Sequence, residues 1–123
     1  MRDLREFFGE RARVRWEEPA TPRSTDLQYQ IVLCRYGHIY QYGDGHLGFA
    51  TDRRRRIAAQ VASLPGAWME QDGDDGQNVV FPEGLAKQVG EIVGVRLKRR
   101  VPQHIREAKA AMMRAYHQNK ASP

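Results

Sequence analysis

Arg53, Arg54, Arg55 and Arg56 form an unbroken run of guanidinium groups, directly after Thr51-Asp52 and before the apolar spacing Ile57, Val61, Leu64. The chemistry this run offers is anion recognition, because a planar guanidinium fork matches two phosphate oxygens at once. The apolar spacing reads as a helix from about 53 to 63, capped by Thr51 or Asp52 and ended by Pro65-Gly66. Cations in a first helical turn are disfavoured by roughly 0.3–1 kcal/mol each at an exposed site. Local structure therefore gives no reason to cluster them there, and a polyanionic partner supplies one. At about 100° per residue the four side chains fan through roughly 300°, so two or three at most can face one ligand.

A second set of cations lies downstream. Residues 96–123 carry eight basic side chains against Glu107 alone, a local charge of +7. With +5 overall, the first 95 residues carry −2. A near-neutral body with a basic tail is the asymmetry of a polyanion-binding arm. Lys98, Arg99 and Arg100, followed by Arg106 and Lys109, are expected to join the arginine quartet in phosphate contacts that ignore sequence. Interleaved tyrosines (Tyr29, Tyr36, Tyr40, Tyr42) and Phe49 offer ring faces on which bases could stack, although aromatics on strands more often serve as core or cross-strand pairs.

Other chemistry finds little support. The acidic stretch Asp72, Asp74, Asp75, with Glu83 beyond it, has calcium-loop spacing in part. Gly76 stands where an oxygen ligand belongs, however, and the composition reads as a hairpin turn. Cys34, His38 and His46 are three scattered candidates without the fourth ligand and defined spacing of a zinc site. One cysteine excludes an internal disulfide. Neither a catalytic triad nor a phosphate-binding glycine loop is visible, so no cofactor or metal is expected and enzymatic activity is not the favoured expectation.

One enzymatic alternative comes from a resemblance. Gly37-His38-Ile39-Tyr40, then Leu47-Gly48-Phe49 and Arg56, faintly resembles the GIY-YIG endonuclease family over about 20 residues. That resemblance implies a metal-dependent nuclease in which Tyr40, Arg56 and Glu83 or Glu91 act together on a phosphodiester. His38 replaces the first glycine, and the second triplet reads Leu-Gly-Phe.

The elements that must position these groups are legible from period and punctuation. Leu4, Phe7 and Phe8 suit a short amphipathic helix stopped near Gly9, and Arg11 to Trp16 alternates three arginines with Ala, Val and Trp as a strand would. Pro19 and Pro22 mark a connecting loop. Strands are expected at about 28–34, 38–42 and 46–50, then at 67–71 and 77–81 around Asp72-Gly73-Asp74-Asp75-Gly76. Pro82 opens a helix bearing Leu85, Val89, Ile92 and Val93, closed by Gly94. Val95 and Leu97 alternate with Arg96 and Lys98 as in a further short strand.

Hairpin then helix, twice, predicts an α+β fold: an antiparallel sheet of two ββα units with helices on one face, occupying 1–95. Residues 96–123 are expected to form a basic helical extension. Its seam of Val101, Ile105, Ala108 and Met112, continued by Ala115, would dock on the domain, on a protein partner or on a second copy. An adaptor or inhibitor acting through that helix is thus the second functional expectation. The N-terminus lacks the apolar run of a secretory signal and no membrane-length apolar stretch occurs, so a cytoplasmic location is expected.

Overall fold

The computed structural model describes residues 1–17, 26–99, 108 and 110–113. Six antiparallel strands form one sheet: β1 (Val14–Trp16), β2 (Gln30–Cys34), β3 (Gly37–Gly43), β4 (His46–Thr51), β5 (Trp68–Asp72) and β6 (Gln77–Pro82). Their spatial order is β1-β2-β3-β4-β6-β5, so the two hairpins meet through their second strands. Among the described residues, the helices that accompany the sheet are α1 (Arg5–Phe8), α2 (Arg55–Ala62) and α3 (Ala86–Val93). The α+β class with an antiparallel sheet is thus as expected, and the five expected strand and hairpin segments from 28 to 81 correspond to β2 to β6.

Strand alternation sorts the side chains. Val14 pairs with Val32, Val32 with Ile39, Ile39 with Phe49 and Phe49 with Val79, a row of apolar residues crossing the sheet. Leu47 and Phe81 lie on the same side, and all of them pack with Ala58 and Val61 of α2, Val89 and Val93 of α3, and Leu4. The next row, Arg15, Ile31, Tyr40, Gly48, Val80 and Trp68, faces the other way. α1, α2 and α3 therefore cover one face of the sheet, and the second face carries Tyr40, Tyr42 and Trp68.

Turn chemistry fixes the register. Asp44 and Gly45 both take positive φ (53° and 75°), the hairpin geometry that matches the right-handed twist of β3 and β4. Gly37 admits β4 closely, since a Cβ there would stand 2.0 Å from the Ala50 carbonyl oxygen. On the helix face, Gln30 is fully buried; its Oε1 accepts from the Leu4 amide at 2.7 Å and its Nε2 donates to Asp3 at 3.0 Å, tying α1 to β2.

The start of α2 differs from expectation. The helix opens at Arg55, and Arg54 is the capping residue with no side-chain cap bond, so neither Thr51 nor Asp52 fills that role. The reason lies in the preceding turn: Arg53 takes φ 60°, a left-handed conformation in which the chain cannot yet be helical. Thr51 Oγ1 is committed elsewhere, donating to the Tyr36 carbonyl.

Candidate nucleic-acid interface

Residues 94–98 bring the tail's first cations to the sheet. The Arg35 amide donates to Gly94 O at 2.7 Å and the Arg96 amide to Leu33 O at 2.9 Å, so this segment lies along the end of β2. It then passes to the segment just before β1, where Arg13 N donates to Arg96 O and Lys98 N to Arg11 O. Cys34 pairs with Val95 and Ala12 with Leu97. The Arg11 guanidinium adds two bonds to Lys98 O, at 2.9 and 3.3 Å. Ala12 and Val95 pack toward the core, so alternation sends Arg11, Arg13, Arg96 and Lys98 to the opposite side. The basic stripe and the beginning of the tail are one edge.

The quartet approaches that edge through Tyr36. The Arg54 guanidinium carbon lies 5.5 Å from the centre of the Tyr36 ring and that of Arg35 lies 5.2 Å away, both within cation–π reach. Arg35 in turn abuts Gly94, where a Cβ would stand 2.9 Å from the Arg35 Cβ. A rim of cations thus runs from the start of α2, over the β2–β3 turn, to the β1 edge. Arg53, Arg54, Arg55 and Arg56 are all exposed, and with Tyr36 and Ile57 they line a concavity of about 420 Å³.

Arg55 alone of the four forms an ion pair among the described residues, 3.8 Å from Asp74 on the acidic β5–β6 turn. Both partners are highly exposed, so the pair is weak. Asp52, Asp74 and Asp75 line a separate concavity beside it. Among the described residues no group of three or more metal-ligating side chains exists, and the calcium-like spacing of the turn resolves as a hairpin.

Lys98 and Arg99 are exposed at the edge, whereas Arg100, Arg106 and Lys109 lie outside the described residues. So do Val101 and Ile105 of the expected seam; Ala108 and Met112 are helical and exposed, Met112 by 72%. Tyr36 and Arg35 are site residues that sequence reasoning did not single out for the rim. The only local signal was the Arg35-Tyr36-Gly37 turn, since the meeting with Arg54 spans a long sequence separation.

The aromatic face is a distinct surface. Tyr40 lies over Gly48, where a Cβ would fall 2.1 Å from its Cζ, and burial, with Glu70 and Tyr42 adding to it, pushes its phenol up to about 12. Tyr42 donates to Glu70 Oε1 at 2.6 Å, and its ring meets Trp68 edge-on at 6.1 Å. His46 packs on Trp68 from 5.2 Å. Phe49 belongs to the core and offers no stacking face, whereas Tyr29 is half-buried in a 3₁₀ turn (Leu27–Tyr29) ahead of β2.

Two further expectations separate in space. Tyr40 follows core-facing Ile39 and points away from the helices, Arg56 and Glu91 belong to α2 and α3 on the covered face, and Glu83 lies by the β3–β4 turn, its amide donating to Gly45 O. The nuclease-like constellation is therefore not assembled. Cys34 is buried toward the helices, its thiol pushed up to about 12 by desolvation, whereas His38 faces the aromatic side 4.0 Å from Glu17. No helix among the described residues is long and apolar enough to cross a membrane. No protein-family model, curated protein or solved structure matches this chain.

Proposed function

We propose that this chain is a small, non-enzymatic nucleic-acid-binding protein that holds phosphate groups through its arginine-rich rim, with residues 96–123 as a basic arm extending it. The observation that carries this is the pair of guanidinium groups, Arg35 and Arg54, over the one Tyr36 ring, because it joins the quartet to the edge bearing Arg11, Arg13, Arg96 and Lys98. Among the described residues Arg55 alone of the quartet meets a carboxylate, and like charges drawn together stabilise no fold by themselves; a polyanion bound along them does. Phosphate contacts of this kind position a nucleic acid and carry little sequence information.

The experiment is binding of DNA and RNA oligonucleotides across a salt series. Retention at about 50 mM salt and a linear fall of log affinity with log salt are expected, and absence of retention at that concentration overturns the proposal.

A second reading, a protein-interaction module, is favoured by the exposure of Ala108 and Met112, the described members of the seam. Light scattering tests it. A protein that stays monomeric, and in which Ile105→Ser with Met112→Ser changes no association, removes the seam as a self-association interface.

A further inference from the structure

The concavity beside Tyr36 has a more specific chemistry than the rim around it. Arg53, Arg54 and Arg56 line it, and Arg35 approaches Tyr36 from the neighbouring turn. None of these four forms an ion pair among the described residues. The Tyr36 ring is already engaged by two guanidinium groups, which leaves little of it for a base. A guanidinium held over a ring still has N–H groups to offer and loses less freedom on meeting an oxyanion than an unanchored side chain would. Arg53 takes a left-handed backbone conformation that costs a non-glycine residue about 1–2 kcal/mol, and this conformation sets an arginine at the concavity's lip.

We propose that this concavity is a site for a terminal phosphate monoester of a nucleic acid strand. This rests on the nucleic-acid reading above and names the part of the strand the quartet takes. A monoester carries a charge of about −1.5 to −2 at neutral pH, more than the single charge of a mid-strand diester, and so matches several convergent cations better. It also enters from the end of a strand, whereas a diester brings a sugar on each side to the mouth of the concavity.

The test uses the full chain and one oligonucleotide sequence in three forms: 5′-phosphorylated, 3′-phosphorylated and with hydroxyls at both ends. Fluorescence anisotropy is expected to show one phosphorylated form binding about tenfold more tightly than the hydroxyl form, the size of one charge-assisted hydrogen bond. Arg54→Gln, an exposed substitution that leaves the core intact, is expected to remove that ratio while the hydroxyl form loses far less. Tyr36→Phe keeps the ring and should keep the ratio; Tyr36→Leu should abolish it. Equal affinity for all three forms overturns the end-recognition site and leaves the wider reading standing. Failure of every form to bind at about 50 mM salt overturns both.

Discussion

Arg54 stacks on Tyr36 across a separation of eighteen residues, its guanidinium carbon 5.5 Å from the ring centre. The stacking is possible because the β2–β3 turn and the start of α2 lie at the same end of the sheet, where Thr51 at the end of β4 donates to the Tyr36 carbonyl. Removing that hydroxyl loosens the platform. Thr51→Val is expected to cost about 1–2 kcal/mol in denaturant unfolding, the lower part of the range for a carbonyl left without its donor, since this one is part-buried. Oligonucleotide affinity should fall with it, because Tyr36 then no longer holds both arginines in place.

The edge cations make a graded prediction. Lys98→Ala with Arg99→Ala removes two exposed charges from the segment beside Arg11 and Arg13. Binding should weaken equally for unrelated sequences, and the slope of log affinity against log salt should shrink by about 0.7 to 0.9 for each phosphate no longer neutralised. Unchanged slopes would place those side chains outside the interface.

Much of this architecture was legible because local chemistry and tertiary placement agree. Asp44-Gly45 demands a tight hairpin and forms one; Gly94, at φ 72°, ends α3 where the apolar period stops. The rim was not legible for a physical reason. Alternation marks Arg13 and Arg96 as strand-like residues each in its own segment, but which distant segment pairs with which, as Arg13 does with Arg96, leaves no local trace in sequence. The helix start was misplaced because Arg53 sits at positive φ, a state that sequence rules reserve for Gly, Asn and Asp. Tyr40 and Arg56 looked like neighbours in a motif, yet a strand's alternation and a helix's side of the sheet put them on opposite faces.

Cys34 provides a clock for opening of the core. Its thiol is buried and pushed up to about 12, chiefly by desolvation, so the reactive thiolate is scarce near pH 8. Alkylation by iodoacetamide at that pH should be far slower in the folded protein than in denaturant. Fast native labelling would mean that the β2 edge, where Val95 pairs with Cys34, opens readily.

Asp3 ties acid stability to α1. The Arg5 side chain, with help from the Arg5 amide and Gln30 and against a smaller effect of burial, holds its carboxyl well below the ordinary 3.8. A lowered folded value means that the ionised form stabilises the fold above about pH 4, and that this contribution is lost as pH falls below it. Asp3→Asn should therefore reduce Tm at pH 7, and the gap between variant and wild type should narrow steadily toward pH 2. A constant gap would show that the carboxylate charge plays no part in holding α1.

Arg53 separates stability from function most cleanly. At φ 60° the arginine is strained by about 1–2 kcal/mol, and no ion pair among the described residues compensates it. Glycine adopts that conformation freely but adds entropy to the unfolded chain, an opposing effect of roughly 0.5–1 kcal/mol. Arg53→Gly is thus expected to leave stability unchanged or raise it by up to about 1 kcal/mol, while weakening oligonucleotide binding. Arg53→Ala keeps the Cβ that causes the strain and should be the less stable of the two, with binding weakened to the same degree. If glycine instead destabilised the protein and left binding intact, the side chain would be serving the fold, and the strained turn before α2 would have no functional reading.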